Sequence, residues 1–201
     1  MVVFNKEYNM GTDYEILKKI CQNRKSTRKF SNREIAREDI DKIISLAQNS
    51  PYASGLKNWD IQVITEVEMI KQIAQSVRQK VTEWESEIRD DFREHFVNYA
   101  NNFTLFESAP VLFVLNFRVS PVMAHMFGNN IKNDILTWER DNFTKSISCV
   151  AMLILLAAES LGLGACYMTG PLIAQDKIKP LIKTKPGREI GAIIPVGYKI
   201  K

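Results

Sequence analysis

The sequence predicts an α+β fold: one sheet of strands that are not neighbours in the chain, covered by helices. Three observations predict it. Residues 59–63, 111–117, 165–168 and 190–196 read as strands, by alternation or as short apolar runs. The stretches between them repeat apolar residues every three or four positions, as amphipathic helices do. One such stretch, 144–161, is apolar on almost every side, and a helix of that kind has to be covered all round.

Asp13 is placed to cap a helix over 13–22, with Tyr14, Leu17 and Cys21 on one face. A second helix covers 37–49. Ile40, Ile43, Ile44 and Ala47 form its stripe, Glu38 and Asp39 suit its first turn, and Pro51 stops it. Trp59, Ile61 and Val63 alternate as in a half-buried strand. Residues 68–99 read as helical through Ile70, Ile73, Ala74, Val77, Val81, Trp84 and Ile88. Glu83, Glu85, Glu87, Arg89, Asp90 and Asp91 lie opposite. This excursion, about 67–107, reads either as a lid over a pocket or as an arm packed on the core or a partner. Ala109-Pro110 opens the strand 111–117, and 121–130, with Gly128, reads as a loop. In it His125 and Met126 are expected to serve packing, and His95 to face solvent. In the helix 144–161 no polar face remains from Val150 to Ala158, which predicts a subunit interface or deep burial. Gly162 and Gly164 suit its exit. A strand, the turn Thr169-Gly170-Pro171, a short helix with Ile173, Ile178, Leu181 and Ile182, and the strand 190–196 complete the chain.

At 201 residues the chain suits one domain, 1–201. A net charge of +4 without a long basic run fits a small anionic ligand and argues against nucleic acid. Residues 1–4 do not read as a signal peptide, and the longest apolar run, 150–158, is about half a membrane span. No membrane association is expected. Cys21, Cys149 and Cys166 are scattered, without a CxxC, which predicts neither disulfides nor zinc and places the chain in a reducing cytoplasm. Two histidines without ligand spacing, and no GxGxxG, predict neither a metal centre nor a Rossmann-bound nicotinamide.

Candidate site residues begin with Arg24-Lys25-Ser26-Thr27-Arg28. Three cations and two hydroxyls in five positions suit a phosphate: guanidinium and ammonium give charged donors, and hydroxyls give short neutral ones. The same pentapeptide also reads as a solvated basic turn. Because it follows a helix C-terminus, side-chain charge and not a helix dipole has to hold an anion there. The turn Thr169-Gly170-Pro171 reads equally as the entry to a helix.

The segment Arg24 to Arg28 and two more, far along the chain, resemble those of the nitroreductase-like flavoproteins. Arg24-x-Ser26-x-Arg28-x-Phe30 matches the N-terminal signature of that family in full. Pro51-Tyr52-Ala53-Ser54-Gly55-Leu56-Lys57-Asn58-Trp59 is similar to its Pro-Ser-Ala-x-Asn-x-Gln-Pro-Trp segment. Leu161-Gly162-Leu163-Gly164, the turn Met168-Thr169-Gly170, and Ile193-Ile194-Pro195-Val196-Gly197-Tyr198 are similar to its C-terminal half. The resemblance implies a central mixed or antiparallel sheet flanked by helices, a long buried helix at a dimer interface, and tightly bound FMN between two identical subunits.

It assigns Arg24, Lys25, Ser26 and Arg28 to the phosphate and ribityl chain, and Met168, Thr169 and Gly170 to the ring edge. It assigns Pro51, Tyr52 and Ala53 to closure from the other subunit. It also gives Asn101 or Asn102 as an amide for the ring, and Lys199 as a cation beyond the last strand. The departures are Tyr52 for the usual Ser, Gly55 for the cofactor-binding Asn, and Lys57-Asn58 for Gln-Pro. The implied activity is ping-pong transfer from NADH or NADPH through FMN to a nitroaromatic or quinone. The flavin carries that chemistry, no side chain is the catalyst, and Tyr52 borders the substrate face. A flavin-binding protein of low turnover, used for storage, sensing or partner binding, is the alternative. A helical interaction module without cofactor is the third reading.

Overall fold

A computed structural model describes residues 10–52, 57–118 and 122–200. Four strands form one antiparallel sheet in the order β1-β2-β4-β3: β1 (Trp59–Ile64), β2 (Val111–Arg118), β3 (Gly164–Ala165) and β4 (Arg188–Gly197). β2 is buried along its length except at Arg118. A strand covered on both faces can be apolar throughout, which is why its sequence shows no alternation.

The two faces of β2 feed two cores. Phe113, Leu115 and Phe117 point to the side covered by α2 (Arg37–Ala47) and α6 (Asn133–Ser160), where they meet Ile43, Ile147 and Ile154. Leu112 and Val114 point to the side covered by α3 (Val67–Glu85) and α7 (Gln175–Leu181), with Ile70, Ile73, Phe106 and Ile178. The register between β2 and β4 shifts at Leu115/Asn116, and Gly191 is left out of the pairing. A Cβ on Gly191 would stand 2.8 Å from the Ile147 side chain, so the bulge lets α6 press close on the sheet.

Several boundaries differ from the sequence reading, each for a local reason. α1 (Met10–Asn23) starts three residues early, so Asp13 sits in its first turn instead of capping it, and Tyr14, Leu17 and Cys21 are exposed. The helical stretch 68–99 is two helices, α3 and α4 (Asp90–Ala100). At the break the Ser86 hydroxyl donates to the Glu83 carbonyl (2.7 Å), a local bond that competes with the helix ladder. Residues 121–130, expected as a loop, contain α5 (Val122–Phe127). Its first N–H groups donate to the buried Glu139 carboxylate (2.9 Å from Val122), a cap 17 positions away that no local pattern reveals. His125 and Met126 are exposed there, so neither is loop packing, whereas His95 does face solvent.

α6 begins at Asn133, eleven residues before the expected start, and its first turns bury only Glu139 and Phe143 before Ser146. Its flank at Cys149 and Met152 stays open in the single chain, so the helix is not covered all round by its own fold. α6 is long and apolar enough to cross a membrane by length and composition, yet half of its most apolar window is buried inside this fold. The third strand shortens to β3, with Met168 joined to Ile193 by an isolated bridge. The short helix divides into a 3-10 helix (Gly170–Ala174) and α7. Between α3 and α7, hydrogen bonds from Lys177 and Lys80 hold the exposed Glu83 carboxyl below its usual range.

Phe113 is fully buried at the centre of the α6-side core. Phe113→Ala is expected to lower the unfolding free energy by about 3–5 kcal/mol, read by urea denaturation.

Candidate functional site

The segment after α1 is held by its backbone and leaves its polar side chains free. Arg24 N–H still closes the last turn of α1 on Ile20 (3.0 Å). The chain then runs beside β3, where Ser26 bridges Ala165 in parallel and Thr27 N–H donates to the Ala165 carbonyl (2.9 Å). A Cβ at Gly164 would lie 2.6 Å from the Thr27 side chain, so only glycine admits this approach. Three residues on, Phe30 is buried in the α3-side core and bridges Lys199, and Ser31 N–H donates to the Tyr198 carbonyl (2.9 Å). Inward anchors at Thr27 and Phe30 leave Lys25, Ser26 and Arg28 exposed and Arg24 half-buried. None of Arg24, Lys25 and Arg28 has an ion-pair partner among the described residues.

Downstream of β3 the backbone is pinned to β4. Cys166 N–H donates to the Pro195 carbonyl (3.3 Å), and Met168 and Ile193 exchange both bonds (3.1 and 3.0 Å). This delivers Met168, Thr169 and Gly170 to a cleft of about 180 Å³. Residues 166–170 make one wall, Tyr99, Asn102 and Phe103 the second, and Arg28 the third. The flat ring pressed on Gly170 is the chain's own Phe103: a Cβ there would sit 2.3 Å from it.

The predicted residues therefore divide. Arg28, Met168, Thr169 and Gly170, 140 positions apart in sequence, line one cleft, and Arg24, Lys25 and Ser26 precede Arg28 on the same strand-like segment. Pro51 and Tyr52 are exposed beyond α2 and do not line the cleft. Ala53 and Gly55 lie outside the described residues. Of the two asparagines, Asn102 reaches the cleft and Asn101 does not; the Asn102 amide donates to the Tyr99 carbonyl (3.1 Å). The Lys199 ammonium pairs with the largely buried Glu159 of α6 (2.7 Å), which directs it along α6. Sequence reasoning passed over Tyr99, Phe103 and Tyr167 as cleft residues. Tyr99 and Phe103 are four apart where α4 runs into the 3-10 helix Asn101–Ser108, a spacing that put them on one wall.

Comparison with known proteins decides the family: the nitroreductase family model matches residues 21–198. The chain belongs to the nitroreductase family. Its fold is the nitroreductase-like fold of that family. An iodotyrosine deiodinase from Hydra vulgaris is 29% identical over 188 residues, 89% of this chain and 63% of the relative. The chain thus spans a little under two thirds of the curated relatives it matches. Among solved structures, a BluB-like flavoprotein from Clostridium difficile 630 superposes with a TM-score of 0.80 at 25% identity, covering 92% of this chain and 90% of that one. An oxidized iodotyrosine deiodinase bound to FMN and 3-iodo-L-tyrosine gives a TM-score of 0.69 at 20% identity, over 92% and 90%.

Gly170→Ala forces its Cβ into the Phe103 ring, and overpacking of this kind is expected to cost about 1–3 kcal/mol. Thermal denaturation reads the cost, and Phe103→Leu in the same chain is expected to recover part of it in a double-mutant cycle.

Proposed function

We propose that this chain binds FMN and acts as an oxidoreductase, passing two electrons from NADH or NADPH to an electron-poor acceptor, a nitroaromatic or a quinone. The observation that carries the reading is the meeting of Arg28 with Met168, Thr169 and Gly170 at one cleft, directly after the unpaired Arg24 and Lys25. The residues fit the cofactor. Its phosphate needs cations without carboxylate partners, and Arg24, Lys25 and Arg28 supply them beside the Ser26 hydroxyl. Its ring needs a rigid edge, and the turn at Met168 is tied to β4 on both sides. When bound, FMN supplies the two-electron step: a hydride leaves a reduced nicotinamide for the flavin, and two electrons with two protons then take a quinone to its quinol, or a nitro group to nitroso and water. The chain's own residues bind, orient and shield.

The reading includes a homodimer with FMN between subunits. A cleft of about 180 Å³ is small beside the roughly 300–1,000 Å³ of ligand sites, so one chain supplies part of a site. Tyr14, Ile16 and Leu17 of α1 are exposed, α1 lies against α6, and Met152 of α6 is exposed too. These helices form the contact, and Tyr52 of the partner subunit closes the flavin from the far side. A second reading, reductive dehalogenation of an aromatic by the same flavin, is favoured by the likeness to iodotyrosine deiodinase along 89% of the chain.

The visible spectrum of the chain after incubation with FMN tests the reading: a bound flavin band is expected, bleached by NADPH without oxygen and restored by a nitroaromatic. A halogenated phenol that restores the band faster than a nitroaromatic favours the second reading. Each charge-assisted phosphate contact contributes on the order of 1.5–3 kcal/mol, so Arg28→Ala is expected to weaken FMN binding about tenfold or more in apoprotein titration. Donor and acceptor, taking turns in one cleft, are expected to give parallel double-reciprocal lines.

A further inference from the structure

We infer that Tyr99 is a specificity-determining residue, an aromatic wall that makes this site prefer planar aromatic acceptors to compact non-aromatic ones. The inference rests on the proposed flavin site and deepens it. Gly170, Phe103 and Tyr99 form a column that leads out of the cleft. Phe103 packs directly on Gly170 and is 6% exposed, whereas Tyr99 stands edge-on to Phe103, 5.0 Å between ring centroids at 84°, and is 65% exposed. The inner end of the column is the turn assigned to the flavin edge, so its outer end is where an acceptor enters.

Among the described residues the Tyr99 ring has one aromatic partner, Phe103, and most of its surface is left in water. Tyr99 closes α4, whose one buried residue is the neighbouring Ala100, and the contact that helps to order the 3-10 helix is made by the Tyr99 backbone carbonyl, which any residue offers. A large aromatic surface left in water at the mouth of a cleft is a binding wall by its chemistry: a flat ring gains contact at little entropic cost, and an offset or edge-on partner adds to area burial. The Tyr99 ring offers an electron-rich face at this entrance, which an electron-poor planar ring matches.

The test uses the full chain loaded with FMN, a dinitrobenzene as the planar acceptor, ferricyanide as the compact one, and two variants. In Tyr99→Leu, kcat/KM for the dinitrobenzene is expected to fall about three- to tenfold, mainly through KM. FMN affinity and the ferricyanide rate are expected to change far less than this, whereas the KM for NADPH, whose planar nicotinamide shares the cleft, is expected to rise with it. Tyr99→Phe keeps the ring and is expected to behave as wild type. An unchanged KM for the dinitrobenzene in Tyr99→Leu overturns the inference, and so does an equal fall with both acceptors. Loss of FMN from Tyr99→Leu overturns it by making the ring a cofactor support, and a Tyr99→Phe variant as impaired as Tyr99→Leu assigns the effect to the hydroxyl. A wild-type chain that binds no FMN overturns the proposed function as well, which separates the two failures.

Discussion

Burial of β2 on both faces is the constraint from which the rest follows. A central strand with no water on either side has to satisfy its N–H and C=O groups through β1 and β4 and its side chains through two helical layers. Period-two geometry assigns Phe113, Leu115 and Phe117 to one layer and Leu112 and Val114 to the other. The helices are then not free to choose: α6 needs a long apolar flank for the first layer, and α3 and α7 need shorter ones for the second. Asn116, the one polar side chain buried on β2, is tolerated because its amide donates to Asp60 on β1 (3.1 Å), and Asp60 in turn meets Arg188 at the start of β4 (2.8 Å).

The cleft is built from the leftovers of that arrangement. β4 outlasts β3, and its unpaired backbone groups hold Cys166 and Met168 on one side. Tyr198, just past β4, holds the chain at Ser31. Two glycines make the join possible. Gly164 admits Thr27, and a Cβ at Gly197 would lie 2.9 Å from the Phe30 ring. Because the backbone and two inward residues secure the segment, its cations are spared from structural ion pairs. That is the physical condition for an anion site: charge held in place by something other than an opposite charge.

The faces the single chain leaves uncovered have the same logic. α1 and the open flank of α6 leave Tyr14, Ile16, Leu17 and Met152 in water, and the cleft at Arg28 is small for a ligand with a ring system. Pro51 and Tyr52, matched to the family by sequence, stand away from the Arg28 cleft of their own chain. The proposed dimer, with its contact across α1 and α6, would relieve both conditions at once. It would also cover the flank of α6 that this chain leaves open at Cys149 and Met152.

By itself the sequence determined the fold class, the four strands, the apolar run of 111–117 and the family signature at Arg24 to Phe30, because each is written in a local period or a short motif. The resemblance, and not spacing, named Arg28, Met168, Thr169 and Gly170 together, and the fold brings these four to one cleft. Only the tertiary structure decided what depends on residues far apart. The cap that Glu139 gives to α5 joins positions 17 apart. That Asn102 and not Asn101 lines the cleft depends on how α4 and the 3-10 helix pack against residues 166–170. The engagement of Lys199 needs Glu159, forty residues earlier, and the wall of Tyr99 and Phe103 needs Gly170, some seventy later. A side chain's face follows from its neighbours in sequence, but its partner follows from where the whole chain has packed.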